Sequence, residues 1–277
     1  MTHAVRSLPS GAVVHSWTAA SPRAVVVLQH GFGEYAERYV EQYAGFVPRL
    51  LGAGFDVWAL DLWGHGRSPG RRAVTSIGSA VHDHLAVRRL ATRSRRPMAL
   101  VGHSLGGLVT ARSTLADPAG LAGVVLLSPA LSRPEPVAVR RMLGAVASVA
   151  PWVPVPRRRR PVAELSRVAA VGERAAADPL MFDGQVPVLT AATALDQAEL
   201  LWTELGDWRV PTLVLHGTAD TYTDPEGSRD FVAGIAAADA ALHLFEGAFH
   251  ELLNDVCADE VAGLVMGWLE AHLQPRC

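Results

Sequence analysis

The 277-residue sequence predicts an α/β fold: a mostly parallel central sheet flanked by helices, with a helical cap inserted late in the chain. Three observations predict it. Short β-branched runs alternate with longer stretches in which apolar residues recur every three or four positions, the sequence form of strand-helix units. Several strand-like runs, such as AVVVL at 24–28 and AGVVLL at 122–127, are apolar throughout, as strands buried on both faces of a parallel sheet must be. Between residues 132 and 206 the alternation fails, Pro, Arg and Ala dominate, and the regular pattern then resumes. The length suits one domain over residues 1–277, with residues 132–206 as a cap inserted within it.

Taken in order, residues 1–11 are short and polar with no apolar h-region, so no secretory signal is expected and a reducing cytoplasm fits best. Strands are expected at 13–17, 24–29 and 55–60, with a helix over 40–53 between the last two. A helix over 79–93, a strand at 98–101, a helix over 105–116 and a strand at 123–127 follow. Within the cap, Arg140, Arg141, Met142, Leu143, Val146 and Val149 fit an amphipathic helix that Pro151, Pro154 and Pro156 end. The arginine run at 157–160 reads as a solvated edge or as a contact for anionic headgroups. Strands at 212–215 and 242–245 and helices over 225–237 and 258–272 complete the pattern, with Asp224 as N-cap before Pro225.

Composition removes several function classes. Apolar residues make up 49%, charged residues 19%, and the formal net charge is -2, so nothing points to nucleic acid as partner. No lysine occurs, which excludes a Schiff-base amine and a P-loop phosphate site. Two cysteines, Cys257 and Cys277, are too few for a disulfide framework or a thiolate zinc site, and no apolar run approaches the roughly 20 residues of a spanning helix.

Four motifs carry chemistry, and each follows a strand. Gly102-His103-Ser104-Leu105-Gly106 is a G-x-S-x-G pentapeptide between a strand and a helix. That context makes Ser104 a nucleophile on a strained turn, with small neighbours where a side chain would strike backbone. Its place at a helix N-terminus favours the negative charge of a tetrahedral intermediate. His30-Gly31-Phe32-Gly33-Glu34 reads as an oxyanion loop, with backbone N–H groups of Phe32 and Leu105 as the two donors. His30 itself reads as a hydrogen-bonding partner of its own loop. In His216-Gly217-Thr218-Ala219-Asp220 the carboxylate at the end of a strand is the candidate acid, preferred over Asp224. In Glu246-Gly247-Ala248-Phe249-His250-Glu251, His250 is the candidate base, with an ordinary pKa of about 6.5 suited to taking and returning the serine proton. The order Ser104, Asp220, His250 is that of the α/β-hydrolase fold. A fifth segment, Asp61 to Ser68 (DLWGHGRS), reads as structure: Gly64 and Gly66 make the turn, and Asp61, His65 and Ser68 hydrogen-bond a loop behind the oxyanion hole. No metal and no organic cofactor are expected.

Together HGFGEYAERY at 30–39, DLWGHGRS at 61–68, GHSLGG at 102–107, HGTAD at 216–220 and EGAFHE at 246–251 resemble the monoacylglycerol lipase and lysophospholipase branch of α/β hydrolases. The form H-G-x-G-E-x-x-x-R-Y is the most specific piece, and Asp178-Pro179-Leu180 also resembles a family element. The resemblance implies a serine esterase or lipase acting on monoacylglycerols or lysophospholipids through an acyl-serine intermediate, with peripheral membrane contact through the cap. The alternatives are an acyltransferase or aminopeptidase using the same triad, or a non-enzymatic ligand-binding role. Tyr222 is bulkier than the family resemblance leads one to expect, and residues 133–160 match no cap of the family, so both bear on which acyl chain fits.

Overall fold

A computed structural model describes residues 2–156 and 160–274, so Arg157 to Arg159 of the arginine run and Cys277 lie outside the described residues. Eight strands form one sheet in the order β1-β2-β4-β3-β5-β6-β7-β8. They are β1 (Thr2–Ser7), β2 (Val13–Thr18), β3 (Ala24–Gln29), β4 (Phe55–Leu60), β5 (Met98–His103), β6 (Leu121–Leu127), β7 (Thr212–Gly217) and β8 (Ala240–Phe245). The pairings β1 with β2 and β2 with β4 are antiparallel, and every pairing from β4 through β3 to β8 is parallel. This is the α/β-hydrolase architecture expected of the sequence.

The strand residues divide between two cores because side chains alternate across the sheet. Val25 and Val27 join one apolar layer, Ala24, Val26 and Leu28 the other. The first layer is covered by α3 (Ile77–Thr92), α4 (Leu105–Ala116) and α8 (Pro225–Gly234), through Val87, Leu108 and Phe231 among others. The second is covered by α2 (Phe46–Gly52) and α9 (Ala258–His272), through Phe46, Leu50, Val265 and Leu269. Asp224 caps α8 by accepting the Glu226 N–H at 3.0 Å, with Pro225 in the first turn.

Two expectations along the main body change. The single helix expected over 40–53 is broken into α1 (Arg38–Glu41), a 3₁₀ turn (Tyr43–Gly45) and α2. Tyr43, Ala44 and Gly45 all take positive φ (54°, 54° and 61°), because the Tyr43 N–H leaves the helix to reach Asn254 Oδ1 at 2.5 Å. The amino-terminal stretch, to which the sequence assigned no element, contains the edge strand β1, whose six residues are all exposed and so carry no apolar alternation to find.

Between β6 and β7 lie α5 (Val137–Val149), α6 (Ala169–Ala177) and α7 (Val188–Glu204). The amphipathic helix expected there is α5, but α6 and α7 carried no signal that stood out from the Pro, Arg and Ala composition. The α7 helix is built into the main body: Ala198 and Leu201 join the first core layer, and Thr190 and Thr193 accept the Thr75 and Ile77 N–H groups. By contrast, α5 touches α7 through the small cluster of Ala147, Val188 and Ala192 while Val137, Met142, Val146 and Val149 face outward.

Candidate active site

The site lies at the carboxyl edge of the parallel strands. Strand β4 lies to one side of β3 and β5 to the other, so the loops after β3 and β5 diverge at the switch point where open α/β sheets leave a crevice. The β3 loop carries His30 to Glu34, and the β5 loop carries Ser104. These loops touch: a Cβ added to Gly31 would stand 2.9 Å from Ser104 Cβ.

Ser104 has φ 53° and ψ −121°, a conformation that costs a non-glycine residue free energy and persists only when its surroundings impose it. The surroundings are crowded. A Cβ on Gly106 would collide with the carbonyls of Gln29 and His30, and one on Gly102 would meet Gly106 O at 2.7 Å. Only glycines let α4 start this close to β5 and β3. Leu105 opens α4 directly after the serine, and among the described residues neither the Leu105 nor the Phe32 N–H donates to a protein acceptor. Both sequence-proposed oxyanion donors are thus available.

Asp220 and His250 are brought together. His250 Nδ1 lies 2.7 Å from Asp220 Oδ2, and since an ionised carboxylate only accepts, Nδ1 carries the proton and Nε2 the lone pair. Asp220 is held by more than the sequence reading supplied. Its Oδ1 accepts the N–H groups of Tyr222 and Thr223 at 2.7 and 3.1 Å, and its Oδ2 accepts the Thr223 hydroxyl at 2.7 Å and faces His216 Nε2 at 3.2 Å. Burial favours the protonated acid, but His250 and His216 outweigh it and hold Asp220 well below the ordinary carboxylate range. No hydrogen bond joins Ser104 to His250 among the described residues. The two are linked through His103, whose ring packs 4.9 Å from that of His250.

Behind Ser104 is a buried polar hub whose residues figure in the sequence only as part of a resemblance. Glu34 Oε1 accepts the Gly31 N–H at 2.6 Å and faces His103 Nδ1 at 2.7 Å, and its Oε2 accepts from Tyr43 at 2.7 Å and Arg38 at 3.2 Å. Arg38 also donates to Glu251 at 3.1 Å, and Asn254 donates to the same carboxylate at 2.6 Å. Burial works against His103 carrying charge, yet the Glu34 carboxylate more than compensates and raises its pKa; Glu34 in turn is held well below its ordinary value by His103 and Arg38 against the opposing effect of burial. The spacing of Glu34, Arg38 and Tyr39 in the motif is therefore the spacing of a hub that locks the oxyanion loop, the elbow and the His250 loop to one another. His30 plays the loop-bonding role expected of it: Leu62 N–H donates to its Nε2 at 3.0 Å and its Nδ1 faces Gly31 O at 2.7 Å. Asp61 accepts the Ala36 and Arg67 N–H groups at 2.8 Å each, and Ser68 bonds Asp61 O and Val13 N–H. His65 faces Trp63 O, and burial pushes its pKa down to about 3.

Tyr222 stacks on His250 with ring centroids 4.9 Å apart and planes at 21°, and its hydroxyl donates to Pro161 O at 2.8 Å. The segment between β6 and β7 is thereby tied to the histidine. The Glu251 N–H donates to Leu165 O at 2.8 Å, a second tie.

This geometry can be set beside known proteins. The model of the family described as serine aminopeptidase S33 matches residues 20–256. The chain belongs to that family. Within it the chain is a monoacylglycerol lipase-like α/β hydrolase. It is 31% identical over 275 residues to the monoacylglycerol lipase of Mycolicibacterium smegmatis, covering 93% of this chain and 92% of that protein. It is 30% identical over 247 residues to the human monoglyceride lipase, covering 85% and 78%. Among solved structures, the monoacylglycerol lipase of Paleococcus ferrophilus superposes with a TM-score of 0.82 at 32% identity, over 94% of this chain and 99% of that one. The chain is accordingly a member of a serine hydrolase family of lipases and esterases. No helix among the described residues is long and apolar enough to cross a membrane.

Proposed function

We propose that the protein hydrolyses carboxylic esters, with monoacylglycerols as the substrate class, through an acyl-Ser104 intermediate. The observation that carries this reading is the 2.7 Å contact between His250 and Asp220 at the sheet edge where Ser104 sits in a strained elbow. His250 Nε2 takes the Ser104 proton as Oγ attacks the ester carbonyl, forming a tetrahedral oxyanion. The N–H groups of Phe32 and Leu105 receive that oxyanion, a pair of donors of which each is worth roughly a hundredfold to a thousandfold in rate. His250 then protonates the departing glycerol oxygen, leaving the acyl group on Ser104. Water enters, gives its proton to the same nitrogen, and attacks the acyl carbon; the proton returns to Ser104 as the fatty acid leaves. Asp220, held ionised, fixes the tautomer of His250 and stabilises the imidazolium in both halves.

Of the cap expected over residues 132–206, the described residues ahead of α7 are read as covering this site, with Tyr222 and Pro161 as the seam, whereas α7 belongs to the main body. The outward apolar residues of α5, together with Trp152 and Val153, suit peripheral contact with a lipid surface from which a single-chain ester is drawn. The monoacylglycerol reading is preferred over lysophospholipid because the named relatives at about 30% identity are monoacylglycerol lipases.

The test is a hydrolysis panel of monoacylglycerols, diacylglycerols, lysophosphatidylcholine and p-nitrophenyl butyrate, with Ser104→Ala beside the wild type. Preference for monoacylglycerols and loss of all turnover in the variant are expected. Full activity in Ser104→Ala overturns the mechanism, and turnover confined to p-nitrophenyl butyrate overturns the substrate class.

A further inference from the structure

At the far edge of the sheet from β8, three side chains from separate stretches converge. His3 on β1, His15 on β2 and Glu37 ahead of α1 each bring one potential ligand atom to within 4.8 Å of the others. His3 Nε2 and His15 Nδ1 are 3.2 Å apart. Two nitrogens bound to one tetrahedral zinc at about 2.0–2.1 Å stand about 3.3 Å apart, so the spacing already matches a shared cation.

The tautomer of His15 is set from behind. Its Nε2 lies 3.0 Å from Asp61 Oδ2, with both side chains fully buried, so Nε2 carries the proton and Nδ1 offers a lone pair toward His3 and Glu37. A histidine whose far nitrogen donates to a carboxylate is the usual arrangement for a metal-binding imidazole, since the carboxylate fixes the ring and strengthens the ligand. His3 stacks on Trp17 at 4.7 Å with planes 6° apart. As it stands, a proton on His3 Nε2 bridges the two rings, and a cation would take that proton's place. Glu37 is paired with Arg67 at 2.7 and 2.9 Å, a contact the cation would compete with.

We propose that His3, His15 and Glu37 form a zinc-class divalent cation site, with water completing the tetrahedron and Asp61 as the outer partner of His15. Two imidazoles and one carboxylate are a ligand set that zinc takes, whereas magnesium and calcium prefer oxygen alone. The site is structural: it pins the edge strand β1 to β2 and to the loop in which Asp61 holds the Ala36 N–H.

The experiment titrates zinc sulfate into chelator-treated full-length protein, followed by calorimetry and by thermal unfolding. One zinc per chain and a raised Tm are expected, with magnesium at the same concentration giving no shift. His3→Ala and Glu37→Gln should each weaken zinc binding at least tenfold. Arg67→Ala should tighten it, because Glu37 is released and a nearby cation removed while the backbone N–H to Asp61 stays. His3 is exposed on an edge strand, so its alanine variant folds, which circular dichroism verifies. No stoichiometric binding at tens of micromolar zinc, or binding unchanged in both His3→Ala and Glu37→Gln, overturns the site.

Discussion

Replacing Glu34 by Gln tests whether the buried hub is a charged assembly or merely a set of well-packed polar groups. The side chain keeps its shape and loses its charge. Five donors point at the Glu34 carboxylate: the Gly31 N–H, His103, Tyr39 and Tyr43, and Arg38. An amide offers one acceptor oxygen and an NH₂ group that can only donate. Its oxygen must stay at the Oε1 position, because the Gly31 N–H cannot reverse, and its NH₂ then faces Arg38, which cannot accept. Tyr43 can turn its hydroxyl, and Arg38 retains Glu251, so the loss amounts to one buried charge pair plus the charge that holds the proton on His103. Breaking a buried pair outright costs about 3–5 kcal/mol, and an unmet buried donor about 1–3, so with partial compensation we expect about 2–4 kcal/mol. For a domain this size each kcal/mol moves Tm by about 2–4 °C, giving a fall of roughly 5–15 °C. Urea unfolding and calorimetry at pH 7 measure it. A change within about 0.5 kcal/mol of wild type would refute the assignment of charge to the hub.

Gly106→Ala drives a methyl group into the Gln29 and His30 carbonyls, so it should destabilise by roughly 1–3 kcal/mol and cut ester turnover more than tenfold; a fully active, equally stable variant removes the packing argument for the elbow. Asp220 has a folded pKa below its unfolded value of about 3.9, so its contribution is complete above that pH and lost as pH falls through the range below it. Stability measured from pH 6 to pH 2 should therefore drop on the acid side, and Asp220→Asn should drop less steeply; parallel slopes contradict the shift. Tyr222→Phe keeps the ring over His250 and removes the bond to Pro161 O, so kcat on a short ester should hold while KM for a long-chain monoacylglycerol changes by severalfold. Tyr222→Leu should alter both; wild-type kinetics in Tyr222→Phe would show that the hydroxyl does nothing, and identical kinetics in the two variants that the ring over His250 does nothing.

Most of the strand-helix order of the main body, and the roles proposed for Ser104, Asp220 and His250, are legible in the sequence. The reason is local: an elbow needs glycine on either side of the serine, a buried parallel strand is apolar on both faces, and each functional residue sits one turn beyond such a strand. Asp224 as an N-cap was legible for the same reason, since an N-cap and the Pro225 after it are set by neighbours in the chain. Features whose partners are far apart in sequence are visible only in the fold. The break at Tyr43 is imposed by Asn254, some two hundred residues on, and the hub joins Glu34 and Arg38 to His103 and Glu251. Likewise His216 and Thr223 as partners of Asp220, the tie from Tyr222 to Pro161, and the meeting of His3, His15 and Glu37 exist only once the chain is folded. Periodicity reports which face of an element is buried, whereas the partner of a buried charge is set by which loops the sheet order brings to one edge.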